Sequence, residues 1–139
     1  MKAAIVMGSD SDFPIVEKGY KLLKDFGVDV TVRVISAHRT PDEAISFAKN
    51  AEKNGYELII GAAGKAAHLP GILAGCTPLP VIGLPIKSSE LDGMDALLGI
   101  QILSVKYPEL REKFKEYKQQ MADKVFEKNK KLNDKLMEG

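Results

Sequence analysis

The sequence contains few of the residues on which several classes of functional site depend. Its 139 residues include one cysteine and two histidines, and the formal net charge is only +1. The lone Cys76 excludes an intramolecular disulfide and is typical of a reducing compartment. Two histidines in separate loops, without clustered cysteines, give no metal-ligand signature. The near-neutral charge gives no reason to expect nucleic acid as a partner.

The sequence also lacks an apolar run long enough to span a bilayer, and a strand-like segment begins almost at once, without a signal peptide. We therefore expect a cytoplasmic protein with no membrane partner. The length suits one domain, and a hydrophobic content of 45% is ordinary for a globular protein. We predict a single domain over residues 1–139.

The chain alternates strand and helix patterns. Apolar or alternating runs at 3–7, 28–35, 58–60 and 80–84 predict four strands, with amphipathic helices between them. Strand–helix–strand units with short connections imply right-handed crossovers and a parallel sheet covered on both faces. The predicted fold is therefore an α/β three-layer sandwich of the flavodoxin-like kind, ending in a long C-terminal helix.

Helix ends are marked by residues with capping chemistry. Asp12 and Thr40 each precede a helix that has proline in its first turn, so both are predicted N-caps. Gly27 and Gly55 follow the apolar stripes of these helices and are expected to end them.

The C-terminal third is predicted to be helical. Residues 1–98 form the expected sheet core with its loops, and residues 99–139 the C-terminal helices. The last helix is long and charged, and its apolar stripe could cover either the domain's own sheet or a neighbouring subunit. The stripe consists of Leu110, Phe114, Tyr117, Met121 and Val125.

Three polar loops follow predicted strands, at 8–12, 36–41 and 64–71. Ligands of open α/β sheets bind beyond the carboxyl ends of the strands. Two of these loops carry the only histidines of the chain, His38 and His68. The sequence therefore predicts one composite site at this edge of the sheet.

The first two loops have the chemistry of a phosphate and sugar site. Ser9 and Ser11 supply hydroxyls beside a helix start, and Asp12 could accept from a sugar hydroxyl. The alternative is a capped strand-to-helix turn. In the second loop Arg39 is a fork donor suited to phosphate, with the Ser36 hydroxyl close by in sequence.

His38 is the candidate acid–base group of the second loop, because an imidazole exchanges protons near neutral pH. The alternative is an exposed histidine beside a surface arginine.

The third loop, 64–71, is small and apolar around His68. Such walls can hold a small uncharged molecule and exclude water. The alternative is that the same residues form a helix N-terminus that carries a histidine of the core. Lys65 either points to solvent or lies near an anionic group. The candidate binding residues of this loop are Gly64, Ala66, Ala67, His68 and Leu69.

Together the loops resemble those of one family. Met-Gly-Ser-Asp-Ser-Asp, Ser-Ala-His-Arg-Thr-Pro and Ala-Ala-His-Leu-Pro-Gly, in this order on successive strands, closely resemble the PurE family of de novo purine synthesis. The resemblance is to its class I branch, the N5-carboxyaminoimidazole ribonucleotide mutases. It continues through residues 79–85 and 91–97 and resumes at 107–110.

The resemblance implies an isomerase that moves a carboxylate from an exocyclic nitrogen to ring carbon C4. It implies release and recapture of CO2 in a closed pocket, neither metal nor organic cofactor, and a homo-oligomer, an octamer in the family. His38 would be the general acid–base group, and the 66–70 loop with His68 would trap the CO2.

The resemblance also implies how the nucleotide is held. Ser9, Ser36 and Arg39 would bind the phosphate, and Asp12 the ribose hydroxyls.

One segment of the family is absent from this chain. After Leu98 the family normally continues through Ser-Ile-Val-Gln-Met-Pro and a further strand, whereas this chain passes directly to Gly99. The loss motivates one alternative, a non-catalytic nucleotide-binding or assembly variant of the same fold. A direct aminoimidazole ribonucleotide carboxylase is a further alternative.

Overall fold

A computed structural model describes residues 1–64, 68–86 and 94–138. The chain divides into two compact units, Met1–Leu103 and Ser104–Gly139. The prediction of a single domain over the whole chain stays a prediction.

The first unit contains a parallel sheet with helices between its strands. Its described elements are β1 (Lys2–Met7), α1 (Phe13–Asp25), β2 (Asp29–Val34), α2 (Pro41–Ala51), β3 (Leu58–Ala63), α3 (His68–Gly75), β4 (Val81–Pro85) and α4 (Met94–Leu103). A short 3₁₀ turn, Asp10–Asp12, precedes α1.

The strand order is β2-β1-β3-β4, and each pair is parallel. In the register of the sheet, Ile5 of β1 lies between Val32 and Ile60. The chain moves outward from β1 to β2 and then crosses back to β3. Because crossovers are right-handed, these opposite directions place α1 on one face of the sheet and α2 with α3 on the other.

The two central strands, β1 and β3, are buried on both faces of the sheet, whereas the edge strands β2 and β4 are more exposed. Ala4, Val6 and Ile59 form one cluster with side chains of α2 and α3. On the opposite face, α4 approaches β3 so closely that a Cβ added to Gly99 would lie 2.7 Å from Cδ2 of Leu58. The predicted three-layer α/β/α sandwich is confirmed.

The position of α4 shows how the sheet ends. This helix packs against α1 and β3, on the face opposite α2 and α3. A right-handed connection from β4 to a further strand beyond it would require a helix on the face of α3. In the described part of the chain after Pro85, helices and turns follow and no strand does. Helix α4 therefore covers the sheet and does not lead to another strand.

Strand β3 is longer than predicted. The expected strand ended at Ile60, but pairing continues through Gly61 to Ala63, between β1 and β4. Glycine and alanine carry little strand preference of their own, so neighbouring strands rather than local propensity extend β3.

The two predicted N-caps stand at the expected positions, but neither side chain caps its helix. Asp12 has helical backbone angles because it is the last residue of the 3₁₀ turn. Thr40 uses its hydroxyl to bind Ser36 instead. The predicted helix ends are confirmed, since Gly27 and Gly55 adopt φ of 86° and 87°, which favours glycine.

The second unit is dominated by α5 (Pro108–Glu138). Arg111 secures the turn before it, because its Nη2 donates to the carbonyl oxygen of Ser104 at 2.8 Å. Leu110 is buried, whereas Val125 is 64% exposed and the apolar residues after it are exposed as well. Among the helices described, none combines the length and apolarity needed to cross a membrane.

Candidate active site

The three polar loops meet at the reversal point of the sheet. Strands β1 and β3 are neighbours, and the chain leaves them toward opposite edges, which opens a crevice at their carboxyl ends. A cavity of about 410 Å³ lies there, and its lining comes from all three loops. The three loops thus line a single cavity within the first unit, and its role as a binding site stays a prediction.

The loop after β1 contributes Gly8, Ser9 and Asp12 to this cavity. Ser9 is extended, with φ −151° and ψ 149°, and its Oγ accepts a bond from the backbone N–H of Ser11 at 3.3 Å. The two serine Oγ atoms lie 2.9 Å apart. Ser11 is absent from the cavity lining that the structure describes, but it bonds Ser9 at the start of the 3₁₀ turn.

The loop after β2 is a compact, internally bonded turn. The Ser36 N–H donates to Oγ1 of Thr40, and this hydroxyl donates to the carbonyl oxygen of Ser36, both at 3.0 Å. The Arg39 N–H donates to Oγ of Ser36 at 3.0 Å. Ser36, Ala37 and His38 line the cavity, whereas the exposed Arg39 is absent from the lining that the structure describes.

The loop after β3 supplies Ala63, Gly64, His68 and Leu69 to the cavity. His68 is the first residue of α3, so the helix start directs this part of the chain back to the sheet edge. The predicted residues Ala66 and Ala67, together with Lys65, lie outside the described residues.

The two histidines are in contact. Nε2 of His38 lies 2.9 Å from Nδ1 of His68, which is hydrogen-bond distance. Their ring centroids are 5.0 Å apart, with an angle of 63° between the planes. Each histidine could be placed at this edge from the sequence, but a bond between residues 30 positions apart could not.

Sequence reasoning missed three lining residues, Gly8, Ala37 and Ala63. All three are small and lack a polar group that would draw attention to them. Their positions beside the predicted loop residues were the available signal, because small side chains leave room for a ligand to approach the backbone.

The cavity combines polar and apolar walls. Hydroxyls, one carboxylate and two imidazoles face a space that is otherwise lined by glycine, alanine and leucine. A pocket of this volume suits a small molecule, and the imidazoles can transfer protons within it. Among the described residues, no group of three or more His, Cys, Asp or Glu side chains could hold a metal ion.

The chain is similar to proteins of known function. A sequence model of the family described as AIR carboxylase matches residues 2–101. An N5-carboxyaminoimidazole ribonucleotide mutase of Thermotoga maritima is 43% identical over 94% of this chain and 91% of that protein. The mutase of Pyrococcus horikoshii is 45% identical over 94% of this chain and 88% of that protein. A chloroplastic phosphoribosylaminoimidazole carboxylase of Vigna aconitifolia is 50% identical over 68% of this chain, but only 17% of the plant protein is covered.

Solved structures give the same likeness. A crystal structure of Treponema denticola PurE superimposes with a TM-score of 0.82 and 29% sequence identity, covering 94% of this chain and 98% of that one.

The alignments also bear on the absent segment. The Thermotoga match spans 156 positions but covers 94% of the 139 residues here, so about 25 of its positions have no counterpart in this chain. By contrast, a Mycobacterium tuberculosis mutase matches over 99 residues that equal 71% of this chain, which leaves no room for a sizeable gap. The family match ends at residue 101. These lengths agree with an internal deletion in this chain relative to the Thermotoga protein.

Proposed function

This chain belongs to the AIR carboxylase family, and we propose that it is an N5-carboxyaminoimidazole ribonucleotide mutase of purine biosynthesis. The enzyme moves a carboxylate from the exocyclic nitrogen of the nucleotide to ring carbon C4. The observation that carries the proposal is the single cavity in which the three motif loops meet around His38 and His68. Relatives that match most of the chain carry the name of this activity.

The nucleotide is held by the first two loops. Ser9 and Ser36, which line the cavity from two different loops, offer hydroxyls to the phosphate. Arg39, exposed next to His38, adds a guanidinium fork. Ser11 supports the Ser9 hydroxyl through their 2.9 Å contact. Asp12, a carboxylate in the lining, accepts from the ribose hydroxyls.

His38 moves the proton. The imidazolium gives a proton to the exocyclic nitrogen as the bond from that nitrogen to the carboxyl carbon breaks, which releases CO2. Carbon C4 then bonds to CO2, and neutral His38 takes the proton that C4 loses. The histidine ends in its starting state, so the reaction is a balanced isomerisation.

The apolar wall retains the CO2 between the two steps. Leu69 and Ala63 line the cavity beside Gly64. From the family resemblance we also assign a role in retaining CO2 to Ala66 and Ala67, which follow Gly64 in the sequence. Retention matters because recombination depends on a high effective concentration of CO2 next to C4. Escape would leave a decarboxylated nucleotide.

The test of the function supplies the nucleotide with a ¹³C-labelled carbamate and follows the label by NMR. The expected result is transfer of the label to C4 without dilution by unlabelled bicarbonate in the buffer. Product that forms only from the added bicarbonate would instead identify a direct carboxylase. Tight binding of aminoimidazole ribonucleotide without turnover would identify a non-catalytic variant, and either result overturns the mutase assignment.

We further propose a cytoplasmic homo-oligomer without nucleic-acid or membrane partners, and an octamer as the family resemblance implies. The exposed apolar residues in the second half of α5 support assembly, because an apolar stripe on a helix is stable when another surface covers it.

A further inference from the structure

The contact between the two imidazoles constrains their protons. The bond joins Nε2 of His38 to Nδ1 of His68 at 2.9 Å. A neutral imidazole has one N–H and one lone pair, so one ring must donate and the other must accept. Two N–H groups facing each other at this distance would repel, and two lone pairs would make no bond. The geometry therefore requires that one proton, and not two or none, lies between Nε2 of His38 and Nδ1 of His68.

Helix α3 favours one of the two arrangements. His68 is the first residue of this helix, which runs His68–Gly75, and the N-terminal turn carries partial positive charge that disfavours an imidazolium. His38 lies in a turn outside α2, before its cap residue Thr40, and the dipole effect falls off beyond the first turn of a helix. The helix dipole therefore favours His38 as the donor in this contact and His68 as the acceptor.

We infer that His68 is a positioning residue that stays neutral and accepts, at Nδ1, the N–H of His38 Nε2. The inference deepens the proposed mutase function and rests on it. It gives His68 a second role besides lining the CO2 pocket. Lining the pocket requires only a side chain of sufficient volume, whereas the positioning role requires an unprotonated nitrogen.

The arrangement determines which atom of His38 reacts. Since Nε2 keeps its proton in the bond to His68, the nitrogen left for the substrate is Nδ1. In the imidazolium, Nδ1–H gives its proton to the exocyclic nitrogen, and in the neutral ring the Nδ1 lone pair takes the proton from C4. One proton leaves Nδ1 and one returns to it, so the count balances.

The bond between the rings persists through both proton transfers. His38 donates from Nε2 in its neutral and its protonated form alike, so the ring need not turn over between the steps. A group that is already oriented for the reaction avoids the cost of reorganisation during it. Loss of the acceptor should therefore lower kcat rather than binding.

The direct test is spectroscopic. The full chain labelled with ¹⁵N-histidine has only two imidazoles, so their four ring nitrogens can be followed without overlap. The ligand-free protein, studied where both rings are neutral, should show an Nε2–H ring for His38 and an unprotonated Nδ1 for His68. It should also show scalar coupling between these two nitrogens across the bond. A protonated Nδ1 on His68, or two uncoupled rings, overturns the inference.

Two variants of His68 separate positioning from bulk. His68→Asn places a carbonyl oxygen near the position of Nδ1 and can still accept, whereas His68→Leu keeps bulk without an acceptor. The leucine variant should lose about 10- to 100-fold in kcat, the range seen when a partner that orients a metal-bound imidazole is removed. Its KM should change little, and the asparagine variant should recover most of the kcat.

Equal losses in the two variants, or no loss in either, would overturn the positioning role. Circular dichroism of both variants shows whether the fold is retained. If the wild-type chain does not turn over, the mutase proposal fails, while the nitrogen spectra still decide the state of the histidine pair.

Discussion

At the scale of single residues, His38 is the side chain on which the proposed chemistry depends. It is exposed to the cavity, bonded to one other imidazole, and held by a turn whose backbone is internally bonded. Apart from His68, the other residues of the lining are glycine, alanine, serine, aspartate and leucine, and none of these carries an imidazole for proton transfer.

We predict that His38→Asn removes turnover while binding largely survives. A missing general acid–base group costs about 10²- to 10⁴-fold in rate, whereas the phosphate and ribose groups stay in place. The label-transfer assay measures the first effect, and calorimetric titration with aminoimidazole ribonucleotide measures the second. A parallel loss of binding would show that His38 serves to bind the nucleotide and would contradict a dedicated role in proton transfer.

At the scale of elements, the turn between β2 and α2 connects the strand to His38. Thr40 stands at the N-cap position of α2, yet its hydroxyl closes this turn by bonding both backbone groups of Ser36. The Thr40 hydroxyl therefore stabilises the turn that carries His38 and does not cap α2.

Thr40→Val should loosen this turn. The valine keeps the shape of threonine but removes two hydrogen bonds, each worth about 0.5–1.5 kcal/mol. We expect a small loss of stability in urea titrations and a larger fall in kcat, because His38 is less well held. Thr40→Ser preserves the hydroxyl and is the control, so similar behaviour of the two variants would contradict this role of the hydroxyl.

The approach of β3 to α3 also requires a particular residue. A Cβ added to Gly61 would lie 3.1 Å from both Cα and Cβ of Pro70. This distance is shorter than most Cβ contacts in proteins, and one of the two atoms belongs to the backbone. Glycine therefore lets α3 settle on the strand that leads to the third site loop.

Gly61→Ala should destabilise the protein by about 1–3 kcal/mol, the usual cost of overpacking. The control is Gly71→Ala in α3, the helix that Gly61 faces, since a Cβ at Gly71 meets nothing within 4 Å. That control should be neutral or stabilising by up to about 1 kcal/mol, because alanine favours a helix. Equal unfolding midpoints for the two variants would argue against the close approach.

At the scale of the whole molecule, the chain ends its sheet early and then extends a long helix. Helix α4 packs on the same face of the sheet as α1. From this face a right-handed connection does not lead to a strand beyond β4. The second half of α5 keeps large apolar side chains in solvent, with Leu132 55% and Leu136 68% exposed. Such a stripe is typical of a surface that another chain covers.

Leu132→Glu should therefore reduce the assembled mass of the protein. A carboxylate in an apolar interface would have to be buried without a partner, which strongly disfavours association. Light scattering during gel filtration gives the mass over a range of concentrations. Gln120→Glu adds the same charge away from the stripe and should leave the mass unchanged, whereas an unchanged mass for both variants would contradict assembly through α5.

The sequence by itself determined the alternation of strands and helices, the common edge for the three loops, and the family. These follow from local signals: apolar periodicity, turn residues, and motifs such as the one around His38. Most of the residues that line the cavity were identified this way, because the carboxyl ends of parallel strands meet at one edge of the sheet.

Only the tertiary structure decided what depends on distance between remote parts of the chain. The contact of His38 with His68, the small lining residues such as Ala63, and the face on which α4 packs all belong to this group. The bond between the imidazoles needs two loops, carried by β2 and by β3 with α3, to converge within 3 Å. Local sequence patterns carry no information about such distances, because packing of the whole sheet and its helices sets them.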